Sequence, residues 1–259
     1  MRTVGRHGEV ARLARLADDL RSLHSGEVLV LPNAWDVGSA RVVESAGYPA
    51  VATASAAVTA VLGHEDGDVA PADEMFAAAA RIARAVAVPV SMDAEAGYGL
   101  GSAELVDRLL AAGVVGCNLE DSDHAGGGLR DADAHASWLA EVRAAADSRG
   151  VPLVVNARVD TFLPTAGVPA AARVDEAVRR GRLYREAGAD CIYPIGVGDP
   201  DTLSRLVAAI GGPINGNSGP DLPLPMLRGL GVARVSYGPR FYRAALADLD
   251  RAIRGLREA

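Results

Sequence analysis

Eight short apolar runs punctuate this chain, each separated from the next by a longer stretch of helical composition. The runs are Val28–Leu31, Ala50–Thr53, Val88–Met92, Val114–Leu119, Leu153–Ala157, Asp190–Tyr193, Pro213–Gly216 and Ala233–Ser236. Between them lie helix-like stretches such as Ala72–Ala87, Ala103–Ala112 and Ala170–Ala187, and glycines stand where helices would end, at Gly47, Gly113, Gly150, Gly188 and Gly231. Strand–helix alternation repeated eight times predicts a parallel sheet with right-handed crossovers, and eight such units can close into a barrel. An open doubly wound sheet competes, but no G-x-G-x-x-G follows the first run. The 259 residues fit one α/β barrel without remainder, so a single (β/α)8 TIM-type barrel over residues 1–259 is expected. Val10, Leu13, Leu16, Leu20 and Leu23 recur at helical spacing and predict an extra helix before the first strand. At the other end Tyr242, Leu246, Leu249, Ile253 and Leu256 form a narrow stripe, as a seam between helices would need. That stripe can cover its own barrel or meet a partner subunit.

Composition narrows the class of partner. Hydrophobic residues make up 49% of the chain and aromatics only 4%, which suits strands buried on both faces under close-packed helices. The formal net charge of -7 argues against nucleic acid or an anionic membrane as a partner. It leaves room for an anionic substrate, because a metal and one arginine can reverse the sign locally. Cys117 and Cys191 have no paired spacing and read as reduced thiols of a cytoplasmic protein. Arg2, Arg6, Arg12, Arg15, Asp18 and Asp19 interrupt any apolar run near the start, so no signal peptide is expected. The longest uncharged stretch, Ser45–Gly63, contains Pro49, Thr53, Ser55 and Thr59, and reads as a strand with its following loop, not a membrane span.

In such a barrel the polar residues at the C-terminal ends of the strands meet in the active site. Those ends carry Asn33, Trp35 and Asp36; Thr53 and Ser55; Asp93 and Glu95; Glu120 and Asp121; Asn156, Arg158 and Asp160; and Asn215, Asn217 and Ser218. Asp93 and Glu95 stand one residue apart, and Gly97 and Gly99 let the backbone turn away behind them. Glu120 on the neighbouring strand adds a third carboxylate. Three carboxylates this close repel one another unless a cation sits among them, which points to a hard divalent ion, magnesium with manganese as the alternative. Taken singly, each acid could instead be solvated or paired with an arginine. Arg158, one strand further round, can grip a substrate carboxylate with two parallel hydrogen bonds, or else neutralise Asp160 or Glu120.

Four blocks in order, Asn33-Ala34-Trp35-Asp36 with Ser39-Ala40-Arg41, Asp93–Gly99, Leu119-Glu120-Asp121 and Ala157-Arg158-Val159-Asp160, resemble the isocitrate lyase/phosphoenolpyruvate mutase superfamily. The resemblance implies a (β/α)8 barrel that binds Mg2+ and acts on 2-oxo or 2-hydroxy acids through enolate-like intermediates. It implies that Asp93 ligates the metal directly while Glu95 and Glu120 hold metal-bound waters. By the same resemblance Thr53, Ser55 and the backbone N–H groups of Ala56 and Ala57 would cradle the substrate carboxylate, with Ala56 standing where the family often has glycine. Asp66 matches a further acid near the metal, and Arg158 the substrate-gripping arginine. Trp35 and Asn215 join the expected substrate-binding set. The family's final helix packs onto a partner, so a homo-oligomer, dimer or tetramer, is expected.

The departure lies after the fourth run. Lyase members carry a K-[KR]-C-G-H lid there and phosphonomutases a K-x-N-S lid, whereas this chain has Asp121–Arg130, glycine-rich and without either signature. Cys117 lies inside the run and is no substitute. His124 is the one loop side chain that titrates near neutrality, and is a candidate acid or merely solvated. Cleaving an isocitrate-type substrate needs a positioned acid, and moving a phosphoryl group needs lid cations. Decarboxylating a 3-carboxy-2-oxo acid such as oxaloacetate demands less, because the enolate needs only a metal and Arg158. A magnesium-dependent carbon–carbon lyase of decarboxylase type is therefore expected, with Arg158, Glu120 and His124 as its catalytic candidates. Three alternatives stay open. They are an isocitrate or 2-methylisocitrate lyase, a phosphorus–carbon bond enzyme using the loops Asn215–Gly219 and Ser236–Gly238, and a non-catalytic 2-oxo acid binder.

Overall fold

The computed structural model describes residues 6–257. Helix α1 (Arg6–Ser22) comes first, and the strands follow as β1 (Leu29–Leu31), β2 (Asn33–Ala34), β3 (Val51–Thr53), β4 (Val90–Asp93), β5 (Gly116–Glu120), β6 (Val154–Val159), β7 (Cys191–Pro194), β8 (Asn215–Asn217) and β9 (Arg234–Ser236). Segments β1 and β2 are one strand interrupted at Pro32, whose nitrogen has no hydrogen to give to a ladder. All pairings are parallel: β2-β3-β4-β5-β6-β7 in one sheet and β1-β9-β8 in the other. A single parallel bridge between Ile192 and Ile214 joins β7 to the approach of β8. The strands thus pair in parallel in the order expected of a (β/α)8 arrangement.

The helices are α2 (Val37–Ser45), α3 (Ser55–Leu62), α4 (Ala72–Ala85), α5 (Ser102–Ala111), α6 (Ala132–Ser148), α7 (Arg173–Glu186), α8 (Pro200–Ile210), α9 (Leu224–Gly229) and α10 (Arg240–Gly255). The five glycines expected past helix ends all take positive φ, from 70° to 101°. The stretch after β3 is no loop but helix α3, because its alanines favour helix and Gly63, at φ 86°, ends it in the left-handed region.

Two cores result. The larger lies between the strands and the outer helices, and α1 contributes to the smaller. Leu13, Ala17 and Leu20 of α1 pack with Leu29, Leu31, Ala50, Ala52, Val115, Val151 and Val154. A side chain on Gly116 would collide with Leu20, its Cβ falling 2.6 Å from Leu20 Cδ2, so this glycine lets α1 approach the strands. Every other long helix buries a face, but α10 buries none, and Leu246, Leu249, Ile253 and Leu256 stand exposed. None of the described helices is long and apolar enough to cross a membrane.

Two buried histidines set an acid limit on this fold. Burial, and then the Arg234 charge, push the His24 pKa down to about 4, and burial pushes that of His135 down to about 3. His135 packs against the rings of Trp138 and Tyr184, and neither ring nitrogen finds a partner among the described residues. Both folded values lie below the ~6.5 of an unfolded histidine, so the unfolded chain binds more protons in between. Their contribution is complete above pH ~6.5 and is lost as pH falls toward the folded values, about 2 kcal/mol for each by pH 5. The urea midpoint is expected to drop between pH 7 and pH 5, and to drop less in His135→Phe. Equal midpoints at the two pH values would contradict this.

Candidate active site

The strands reach further than the apolar runs suggest. Thr53 closes β3, Asp93 closes β4, Glu120 closes β5, Arg158 lies within β6 and Asn215 opens β8, so five of the expected site residues sit on strand backbone. Strand ladders hold side chains more rigidly than loops do.

Asp93 is an acceptor surrounded by donors. Its Oδ2 takes hydrogen bonds from the Ser55 backbone N–H at 3.1 Å and the Ser55 hydroxyl at 2.9 Å, and its Oδ1 a long one, 3.4 Å, from the Asn118 amide. Its own N–H donates to Thr53 Oγ1 at 2.9 Å, so Thr53 supports Asp93 from below instead of facing a ligand. Ser55 opens α3, whose cap residue Ala54 offers no side-chain bond, so a carboxylate from β4 caps this helix start.

Glu95 sits at a strained corner. It has φ 49°, and Asp68 at 62° and Tyr98 at 55° complete the three non-glycine residues with positive φ among those described. Its Oε1 accepts from the backbone of Gly67 at 3.1 Å and Asp68 at 2.7 Å, while its Oε2 is buried with no hydrogen-bond partner among the described residues. Burial, then the charges of Asp93 and Asp66, raise its pKa. Asp66 lies on the exposed side of the same corner, in the 63–71 connection.

Glu120 is held differently. Its Oε2 meets Arg158 NH1 at 2.5 Å, and its Oε1 meets His124 Nε2 at 2.5 Å. Burial nevertheless pushes its pKa up to about 7, against the pull of Arg158. The His124 pKa is raised, chiefly by its bond to Glu120. Arg158 also grips Asp160 with two parallel bonds of 2.7 Å. Both readings of Arg158 as a neutraliser are therefore realised. Of its five N–H groups, the contacts with Asp160 and Glu120 use three and leave two for a ligand.

These groups do not form a ready-made three-ligand metal cluster among the described residues. The repulsion expected among three carboxylates is relieved at Glu120 by Arg158 and His124. Asp93 and Glu95 still fit a hard, hydrated cation. Asp93 presents an oxygen with one long bond, and Glu95 a buried oxygen with none.

A cavity of about 90 Å3 opens at the strands' C-terminal ends, and Asp93, Asp66, Ser55, Ala56 and Arg158 line it as expected. Asn33, Asn118, Tyr193 and Ser236 line it too. Asn118 and Tyr193 lie inside apolar runs, where only the two-residue alternation of a strand could have marked them as inward. Four of the expected substrate-binding residues do not line it, and neither do Glu95, Glu120 and His124. Thr53 lies below; the Ala57 N–H is spent on the Ala54 carbonyl at 3.1 Å; buried Asn215 accepts from Ser236; and the Trp35 ring packs edge-on against Tyr242 at 5.4 Å. Trp35 instead lines an apolar groove of about 500 Å3 with Val42, Tyr48 and Phe241, between α2 and α10.

Both cysteines are buried, and burial pushes each thiol up to about 12. The chain contains no lysine. The loop after β5 folds on itself, with Ser122 bridged to Leu129 and Asp123 accepting from the backbone of Ala125 and Gly126.

A family model described as phosphoenolpyruvate phosphomutase matches residues 20–257. An uncharacterized protein of Mycobacterium tuberculosis is 34% identical over 90% of this chain and 86% of its own. An oxaloacetate decarboxylase of a Bradyrhizobium strain is 31% identical over 75% and 68% respectively, and a probable 2-methylisocitrate lyase of Corynebacterium glutamicum 29% over 90% and 77%. The solved structure of a Burkholderia cenocepacia protein, provisionally assigned as a phosphonomutase, superimposes with a TM-score of 0.87 at 39% identity, covering 93% of this chain and 99% of that one. The decarboxylase, the 2-methylisocitrate lyase and the mutase family model are lyases or mutases, and this chain is an enzyme of that kind.

Proposed function

We propose that this chain, which belongs to the phosphoenolpyruvate phosphomutase family, is a magnesium-dependent carbon–carbon lyase that decarboxylates a small 2-oxo dicarboxylate of the oxaloacetate type. The observation that carries the reading is the cavity itself: about 90 Å3, with Arg158 in its wall and no thiol acid beside it. Pockets for drug-sized ligands run to roughly 300–1,000 Å3, so a four-carbon acid suits this one better than a tricarboxylate. The similarity to oxaloacetate decarboxylases supports the same choice.

The free N–H groups of Arg158 bind the carboxylate that stays. Asp93 and Glu95 would hold the cation, which when bound supplies Lewis-acid stabilisation of the enolate. Ser55 and Asn118 orient Asp93, and the Asn118 and Ser236 side chains present polar atoms to the ligand. Burial of these charges keeps their field strong at the reacting carbon. Carbon dioxide leaves with no proton required, and the enolate is protonated afterwards. His124 faces Glu120 from the loop and relays a proton at most at that carboxylate. With Mg2+, the protein is expected to release CO2 from oxaloacetate well above the rate of Mg2+ alone, a control needed because free ions catalyse this reaction. A rate equal to the metal-only control refutes the decarboxylase reading. The family match favours a second reading, phosphorus–carbon chemistry, for which phosphonopyruvate turnover without CO2 release is the sign.

The proposed assembly is a homo-oligomer in a reducing, cytoplasmic setting. The α10 stripe is exposed by 46% at Leu246, 54% at Leu249 and 53% at Ile253, an apolar face that water tolerates poorly. A second copy of this chain is the natural cover. Light scattering at micromolar concentration should give a dimer or larger, and Leu249→Glu should shift it toward monomer. A wild-type monomer would contradict the proposal.

A further inference from the structure

Arg234 is the largest side chain fully shut off from solvent, with none of its surface exposed. It lies in β9 two residues before Ser236, which lines the cavity, so strand alternation turns both inward with Arg234 one layer deeper. None of the hydrogen bonds it makes reaches a carboxylate. Its NH2 donates to Asn118 Oδ1 at 3.2 Å, and its Nε and NH1 find no partner among the described residues. A cation buried on these terms is costly to keep, and an apolar side chain of like size would be cheaper. What it touches explains its presence. Asn118 Oδ1 also accepts from Asn156 Nδ2 at 2.8 Å, and with two donors on its oxygen the amide must turn its nitrogen the other way. That nitrogen donates to Asp93 Oδ1.

We infer that Arg234 is a positioning residue: with Asn156 it locks the Asn118 amide so that Asp93 is aimed for the cation. The inference rests on Asp93 as a cation ligand, the reading proposed above. Arg234 touches neither ligand nor cavity and acts only through Asn118. Its charge and its orienting role push cation affinity in opposite directions. Removing a positive charge beneath the site would by itself tighten cation binding. Releasing the Asn118 amide loosens it.

The test measures Mn2+ binding by electron paramagnetic resonance without substrate, together with kcat, KM and melting temperature. Arg234→Met is expected to weaken Mn2+ binding about tenfold, within the range seen when groups behind a metal ligand are lost, and to lower kcat more than KM. Its melting temperature should hold or rise, a pattern that mere loss of packing does not give. Arg234→Lys should recover part of the affinity. Asn118→Leu should match Arg234→Met, and the double variant should be no worse than Asn118→Leu alone, because both act along one path. Tighter or unchanged Mn2+ binding in Arg234→Met, or additive losses in the double variant, overturns the inference. The Asn118 variant keeps the test decisive if Arg234→Met does not fold. Asp93→Asn separates the layers: if it loses Mn2+ while Arg234→Met does not, the positioning role falls and the cation site stands. If Asp93→Asn leaves Mn2+ binding intact, both fall.

Discussion

Asp93→Asn is expected to weaken Mg2+ or Mn2+ binding by more than about 100-fold, above the roughly 10–100-fold that losing a supporting residue costs. Decarboxylation should fall to the metal-only rate with it. The carboxylate is the one acid of the group that enters the cavity wall from a strand and accepts only from donors. The amide keeps its size, so the fold should survive. Asp93→Ala would leave the Ser55 and Asn118 donors unpaired at a cost of about 1–3 kcal/mol for each buried group, so it is the poorer probe. Glu95→Gln should weaken the metal less. Its carbonyl can still take the N–H groups of Gly67 and Asp68, and only charge is lost. Glu120→Gln should also act weakly on the metal, because both oxygens are already engaged by Arg158 and His124. Calorimetry measures all three. Unchanged Mg2+ affinity in Asp93→Asn removes the metal site altogether.

The barrel was legible in the sequence because its signal is collective. Eight runs, five glycine stops and the α1 stripe are each weak, but they agree in order and spacing. The strand ends were less legible. Ladders run past the apolar residues onto Asp93, Glu120 and Val159, since a strand goes on wherever its neighbour offers backbone partners, whatever its side chains are. Helix α3 was missed because an alanine run after a strand carries no periodicity to separate helix from loop.

At the site, type was easier to read than orientation. The motif places Trp35 beside the mouth, yet its ring turns outward to Tyr242, a choice made by α10 some two hundred residues away. The carboxylates could be listed in advance, but that Glu120 is neutralised by Arg158 follows from the register of β5 on β6, which sets the two side by side. Arg234 sits in the apolar run Ala233–Ser236, where the sequence alone shows no evident role for a charge. Only the hydrogen bonds around Asn118 give it a purpose.

Arg158→Ala is expected to lower kcat/KM by about 10²–10³, the usual cost of one well-placed electrostatic donor, and to destabilise the fold as well. The two effects share one cause. The guanidinium is buried, and Glu120 and Asp160 hold its charge firmly in place although burial opposes it. Without it two buried carboxylates lose their counter-ion, which typically costs 3–5 kcal/mol when one partner of a buried pair is removed. Asp160 keeps the Ser122 hydroxyl at 2.5 Å and the connection of its own N–H to Asp121, so it stays fixed. Glu120 keeps only His124 and should take up a proton. Arg158→Lys separates grip from charge. A lysine restores the charge beside Glu120 but cannot span Asp160 with two bonds and still present two N–H groups to a ligand. The melting temperature should therefore recover in the lysine variant while KM for oxaloacetate stays high. If Arg158→Lys regains both, the residue neutralises its neighbours and does not bind substrate. If Arg158→Ala keeps wild-type kcat/KM, the carboxylate grip belongs to another part of the cavity.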